Sequence, residues 1–336
     1  MSYRKLTVKS ENWSEEPFAI SRGSEDNFDT VIVIIEQNGC TGWGEASPTE
    51  HYKESISQTE KLIENFRSQL ENDLSRKDLQ QMMPHGAARN AIDCALWDLE
   101  SKIANKRVWE LPELAQHLVT VSQSSPKNLT TVFSLGVDAP ETMGEIARKN
   151  SYRPILKIKL TGDGDLDRLY AIKKNAPDTR LIVDANEGWT LEHYNLFVPA
   201  FQKLGVEMIE QPFPADNDNI LINLERPIPV CADESCHKTA DLPRLVGLYD
   251  FVNIKLDKTG GLTEALLLQA EAEKLGFLTM VGCMSSTSLG IAPAFFIGLR
   301  AKMVDLDAPL YLYKDRPFPM VYDGSIVFPP SKELWG

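Results

Sequence analysis

The sequence predicts an α/β protein: a (β/α) barrel preceded by an α+β region. Three observations lead there. From about residue 130, short apolar strands alternate with helical stretches, the pattern of βαβ units around a parallel sheet. The repeat is regular, with 25 residues from Lys159 to Asp184, 26 to Glu210, 23 to Asp233 and 22 to Lys255. Strand after strand ends in a charged residue, where a barrel of this kind gathers its functional side chains. At 336 residues the chain is about twice a typical domain, which suits one large barrel or two domains.

Each element follows from local pattern. Within residues 1–115, Thr30–Glu36 is a β-branched strand, Asn38-Gly39 a hairpin turn and Thr41–Glu45 the returning strand. Ile56, Ile63, Phe66 and Leu70 share one helical face, as do Ala88, Ile92, Ala95 and Leu99. The Ser/Pro/Asn-rich stretch Ser122–Asn128 connects this region to a barrel over residues 125–309. Barrel strands are expected at Thr131–Leu135, Ile155–Leu160, Arg180–Asp184, Met208–Glu210, Val230–Asp233, Phe251–Leu256 and Leu278–Val281, with a last one before Asp305. Residues 310–336 break the rhythm and are expected to pack back on the N-terminal domain.

Composition narrows the function. Thirty-five Lys and Arg against 48 Asp and Glu leave a net charge of −13, a poor match to nucleic acid or an anionic membrane. With 43% hydrophobic and 25% charged residues, the chain can bury an ordinary globular core. No apolar run approaches the ~18 residues of a membrane span. MSYRKLTVKSENWSEEP lacks the apolar stretch of a signal peptide. Cys40, Cys94, Cys231, Cys236 and Cys283 are few and scattered, which points to free thiols in a reducing cytoplasm.

The strand ends carry the chemistry. Lys157 and Lys159 are two apart and face the barrel interior, where a lysine is costly unless paired or functional. Asp184, Glu210 and Asp233 end the segments LIVD, MIE and VCAD. One such acid is usually a helix N-cap. Three at equivalent positions of successive repeats repel one another unless a cation sits among them, and oxygen ligands favour Mg²⁺, with Mn²⁺ in its place. Lys255 ends the next strand, across the barrel from Lys159. Two lysines flanking a divalent ion suit removal of a proton beside a carboxylate. Placed on opposite faces, they permit inversion. A lysine near a cation has a lowered pKa.

Other patterns fail on their own terms. TGDGDLDRL, with Asp163, Asp165 and Asp167, resembles an EF-hand loop start. Arg168 and Lys174, however, stand where Gly and Glu are needed, so a helix start is expected. Cys231 and Cys236 lack a second pair for zinc. Lys258-Thr259-Gly260-Gly261 lacks the P-loop order. His237 is expected at a helix start.

On these residues the chain resembles the enolase superfamily, within it the muconate-lactonizing-enzyme-like subgroup, over nearly its whole length. The N-terminal part carries GWGEASP (Gly42–Pro48) and ARNAIDCALWDL (Ala88–Leu99). The barrel carries KIK, DANEGW, IEQP, ADES and NIKLDKTGGL in order. The resemblance implies a modified (β/α)7β barrel with an α+β capping domain. It makes Asp184, Glu210 and Asp233 ligands of one Mg²⁺ per subunit and Lys159 and Lys255 the acid/base pair. Lys157 would support Lys159 and the substrate carboxylate. Asp305-Leu306-Asp307 at the eighth strand end resembles the dipeptide epimerases, in which such a pair holds the substrate ammonium. KLDKTGGLTEA and GCMSSTS resemble the L-Ala-D/L-Glu epimerase branch.

The reaction the resemblance implies is therefore epimerisation of a dipeptide, L-Ala-D/L-Glu, at its C-terminal α-carbon, in peptidoglycan peptide recycling. The alternatives are cationic or hydrophobic dipeptides, N-acyl amino acid racemisation, o-succinylbenzoate synthesis and muconate cycloisomerisation. Ser286 stands where many relatives carry Glu, which weighs against the cycloisomerase. The loop Ser21–Asp26 is expected to close over the pocket. Within it, Arg22 suits a glutamyl γ-carboxylate, whereas Glu25 and Asp26 would favour a cationic side chain. Ser134 and Ser285 are expected to line the pocket. Association through barrel faces into a homo-oligomer is a family expectation.

Overall fold

The structure, a computed structural model, describes residues 3–20, 22–118 and 126–336, without the side chains of Ser24 and Glu25. Ser21 and residues 122–125 of the expected connection lie outside the described residues. The N-terminal part opens with an antiparallel sheet of β1 (Lys5–Ile20), β2 (Gly23–Gln37) and β3 (Cys40–Ala46). Gln37 pairs with Cys40 across the Asn38-Gly39 turn, and both turn residues take positive φ, as a two-residue hairpin demands. Sequence reading missed β1, whose solvent-facing positions break any apolar alternation. Partnership with β2, from Lys5↔Glu36 to Ile20↔Gly23, makes it a strand.

Four helices follow: α1 (Ile56–Asn65), α2 (Arg67–Glu71), α3 (Arg76–Met82) and α4 (Ala87–Ile103). The helix expected through Phe66 is split there, because Phe66 sits at φ −98°, ψ 1° and bonds back to Ile63 O. The buried helix α4 lies on β3. Gly42 and Gly44 permit the contact, since a Cβ would stand 2.2 Å from Ala95 O and 2.0 Å from Ala91 O respectively. The first two conspicuous segments of the sequence thus fit each other.

After α5 (Pro112–His117) come β4 (Leu129–Thr130) and the barrel. Its strands are β5 (Phe133–Leu135), β6 (Ile155–Lys159), β7 (Arg180–Asp184), β8 (Val206–Glu210), β9 (Val230–Ala232), β10 (Phe251–Ile254), β11 (Leu278–Val281) and β12 (Met303–Val304). All neighbours are parallel, in chain order. Val132 N–H donates to Val304 O at 2.9 Å and joins the two edges. Between the strands run α6 (Pro140–Lys149), α7 (Asp165–Asn175), α8 (Leu191–Lys203), α9 (Leu242–Leu245), α10 (Leu256–Thr259), α11 (Leu262–Lys274) and α12 (Ser288–Gly298). The fold is the expected modified barrel. Asp165 serves the start of α7 as read, accepting the N–H groups of Thr161 and Gly162. His237 instead lies in a loop ahead of the short turn Thr239–Asp241.

The barrel and the N-terminal part share an interface of buried polar contacts. Arg89 donates to Thr259 O and Gly260 O, and Asp93 accepts from Thr263 N–H and Oγ1. Glu45 on β3 accepts from Thr287 and from Arg316 in the C-terminal stretch. That stretch forms β13 (Tyr322–Asp323) and β14 (Ile326–Val327), the latter paired with β4. It ends with the fully buried Trp335, which donates to Cys94 O on α4, while Gly336 N–H reaches Asp98. No described helix is long and apolar enough to cross a membrane.

Candidate active site

The site rises from a period-two argument inside the barrel. Val132, Ile155, Ile182, Met208, Cys231, Phe251, Met280 and Met303, one from each strand segment, form a buried apolar cluster. Two residues further along, alternation brings the next side chain to the same face. Those positions read Ser134, Lys157, Asp184, Glu210, Asp233, Asn253, Gly282 and Asp305. The seven with side chains are all buried. Two further still, Lys159, Lys255 and Asp307 stand toward the mouth. An apolar floor therefore carries a polar layer with one lysine and four carboxylates.

The contacts match that stacking. Lys157 Nζ lies 2.8 Å from Glu210 Oε2, 3.1 Å from Asp184 Oδ2 and 2.6 Å from Asp305 Oδ2. Lys159 Nζ reaches Asp184 at 2.7 Å and Lys255 Nζ reaches Asp233 at 2.8 Å. Three strands, β7 to β9, separate the segments that carry those two lysines. The cations among the three acids are thus ammonium groups. Burial opposes ionisation of Asp184, yet Lys159 and Lys157 hold its carboxyl well below the ordinary range. Burial likewise opposes ionisation of Asp233, and Lys255 and Lys258 outweigh it. Glu210 moves the other way, pushed up by burial and then by Asp184. Lys255, expected to lose its proton readily, is held above the ordinary lysine range. Burial works against its charge, but Asp233 more than compensates.

Asp305 and Asp307 are both buried beside β5. Asp307 Oδ2 accepts the Ser134 N–H at 2.7 Å, so Ser134 takes part through its backbone. Above them opens a cavity of about 630 Å³ between the barrel mouth and the N-terminal part, lined by Lys157, Lys159, Lys255, Asp305, Asp307 and Arg22, with Ser134 and Ser285 also in the wall. Ser285 Oγ donates to Glu15 of β1. Arg22, in the β1–β2 connection, reaches across to the barrel. It pairs with Glu234 at 2.9 Å, approaches Glu187 at 3.7 Å and donates to Asn186 O. Asp26 is exposed and bonded to Asn27.

Several residues here escaped sequence reading. Asn253 donates to Glu210 at 2.6 Å, and the signal was available, since it lies two residues before Lys255. Gly282 leaves room for it, because a Cβ there would stand 2.7 Å from Asn253 Oδ1. Lys258, dismissed with the P-loop, is fully buried and donates to Asp233 O, Asp233 Oδ1 and Asn253 O. Glu234 follows Asp233, and its carboxyl is pushed up to about 7 by burial and by Asp233. His51, Glu187 and Glu234 place ligand atoms within 4.8 Å of one another, the one such group of His, Cys, Asp and Glu among the described residues. No pattern in the sequence announced that convergence.

Two family models match this chain. Residues 3–112 match the N-terminal domain of the mandelate racemase / muconate lactonizing enzymes, and residues 142–325 match the enolase C-terminal domain-like family. The chain belongs to the enolase superfamily. Among its superfamily relatives, the N-acetyl-D-glutamate racemase of a Pseudoalteromonas species is 41% identical over 91% of this chain and 95% of its own length. The L-Ala-D/L-Glu epimerase of Escherichia coli is 40% identical over 93% and 95%. A solved Agrobacterium tumefaciens superfamily member, homologous to dipeptide epimerases and bound to sodium and L-Ala-L-Glu, is 44% identical. It superposes with a TM-score of 0.94 over 99% of this chain and 100% of its own. More distant solved dipeptide epimerases, 25–27% identical, hold Mg and a dipeptide. These superfamily relatives are epimerases and racemases, isomerases acting on amino acid derivatives.

Proposed function

We propose that the protein is a Mg²⁺-dependent dipeptide epimerase that inverts the α-carbon of the C-terminal residue, with L-Ala-D/L-Glu as substrate. One observation carries the reading: two buried lysines stand on strand segments with three strands, and three carboxylates, between them. A proton taken by one lysine and returned by the other enters from the opposite side, which inverts the centre. Asp184, Glu210 and Asp233 would hold the metal. The donors fit in kind, since all are oxygen and the Lys157 ammonium between Asp184 and Glu210 marks a place where positive charge is accepted, although their ligand atoms do not all lie within 4.8 Å of one another as those of His51, Glu187 and Glu234 do. When bound, Mg²⁺, or Mn²⁺ in its place, supplies positive charge beside the substrate carboxylate.

The remaining roles belong to this chain. Lys157 supports Lys159 and the substrate carboxylate. Asp305 and Asp307 receive the ammonium end, and Ser134 and Ser285 shape the wall. A glutamyl γ-carboxylate in the cavity competes with Glu234 for Arg22. The enzyme would work in the cytoplasm, in peptidoglycan peptide recycling, as a homo-oligomer. A second reading, racemisation of N-acylglutamates, is favoured by the partners that Asp305 and Asp307 already have. The test is to incubate the protein with Mg²⁺ and a dipeptide panel in D₂O and follow the α-proton by NMR. Loss of the signal with L-Ala-L-Glu is expected. No exchange with any L-Ala-L-Xaa would refute the reading.

A further inference from the structure

The subsite for the substrate's amino end is an acid pair whose charge is already largely met. Asp305 pairs with Lys157 at 2.6 Å, the shortest of that lysine's three carboxylate contacts. Asp307 Oδ2 accepts from Ser134 N–H at 2.7 Å and lies 3.2 Å from the Tyr311 hydroxyl. That hydroxyl has a single hydrogen, and Ser134 O, which can only accept, lies nearer at 2.5 Å. With the Tyr311 proton committed to the carbonyl, two oxygens face each other at 3.2 Å. A proton on Asp307 reconciles them. The subsite is then neutral, and an acyl group without an amine can enter it without leaving a buried charge unpaired. Once Asp307 loses that proton, the same pocket carries an uncompensated carboxylate, and a substrate ammonium is its natural partner.

We propose that this one site serves two substrate classes, dipeptides with a free amino terminus and N-acylglutamates, and that a single proton on Asp307 sets the preference between them. The proposal rests on the two-lysine reading above, which treats both classes alike: the α-proton leaves to one lysine, a proton returns from the other, and no further reactant is consumed. Burial and then Asp305 push the Asp307 carboxyl up to about 7, within the working range. The groups around it are Ser134 N–H from the β5 side, Lys157 on β6, Cys283 after β11, Asp305, Tyr311 and Tyr322. Cys283, Tyr311 and Tyr322 are held far above their ordinary values, chiefly by burial. Lys157 is also held up, by Asp305 and Glu210 against the effect of burial.

The test compares kcat/KM for L-Ala-L-Glu and N-acetyl-L-glutamate from pH 5.5 to 7.5 with saturating Mg²⁺. This range lies below the titration of the dipeptide's own amino group, near about 8. Both substrates use the same lysines, the same carboxylate and the same side chain, so shared titrations cancel in the ratio. The dipeptide-to-acetyl ratio should rise about tenfold per pH unit across this range, because one substrate uses the ionised and the other the protonated Asp307. In D307N the slope should vanish, and the ratio at pH 7.5 should fall at least tenfold. A ratio constant with pH, a D307N slope like the parent's, or N-acetyl-L-glutamate inert at every pH while the dipeptide exchanges, overturns the proposal and leaves the epimerase reading standing. Exchange of neither substrate sinks both.

Discussion

Lys258 offers the sharpest separation of framework from chemistry. Its ammonium is fully buried and spends its three hydrogens on Asp233 O, Asp233 Oδ1 and Asn253 O. Lys258→Met preserves most of the volume, so little cavity cost arises and the loss is electrostatic. Asp233, itself buried, would keep only Lys255 as a charged partner. Breaking a buried pair from one side costs about 3–5 kcal/mol, and the retained Lys255 places this case near about 3. For a chain of this length that is a fall of about 4 °C in the thermal midpoint. Lys159→Met is the counterpart. Lys159 makes one ion pair, to Asp184, which keeps Lys157, so the midpoint should fall by less than in Lys258→Met while α-proton exchange is abolished. Calorimetry of the two variants, with exchange in D₂O, reads both quantities. A Lys258→Met midpoint within about 1 °C of the parent (less than about 1 kcal/mol) would refute the reasoning that this lysine holds Asp233 in place.

Three further outcomes follow from the same contacts. Arg22→Leu removes the cation over the mouth, so KM for L-Ala-L-Glu should rise at least tenfold while an uncharged dipeptide such as L-Ala-L-Leu changes little, as steady-state kinetics would report. Glu54 is pushed up to about 7, chiefly by burial, so in the folded protein it resists ionisation and costs stability as pH rises from its ordinary range toward 7. Glu54→Gln, which keeps an acceptor for Ala87 N–H, should therefore raise the denaturation midpoint at pH 8 and leave it unchanged at pH 4. Trp335→Ala empties a fully buried site and removes the bond to Cys94 O, which should cost about 3–5 kcal/mol in urea denaturation.

Much of the framework was legible because it is local. The Asn38-Gly39 hairpin, the apolar face through Ala88 and Leu99, and the strand ends at Asp184, Glu210 and Lys159 each follow from a few neighbouring residues. So does the interior direction of Lys157 and Lys159, since alternation along a strand needs no knowledge of what lies opposite. β1 was lost because its partner, not its own pattern, makes it a strand. The split at Phe66 was lost because helical spacing continues through a backbone kink.

The sequence by itself determined which side chains enter the barrel and in what order around it, because strand periodicity and repeat length are written in the chain. Only the tertiary structure decided how their charges are met. Lys258 reaches back to Asp233, Arg22 crosses from the N-terminal sheet to Glu234, and Lys157 rather than a substrate faces Asp305. Those pairings join residues 25, 212 and 148 positions apart. Coulombic energy depends on distance in space, and chain spacing does not report it.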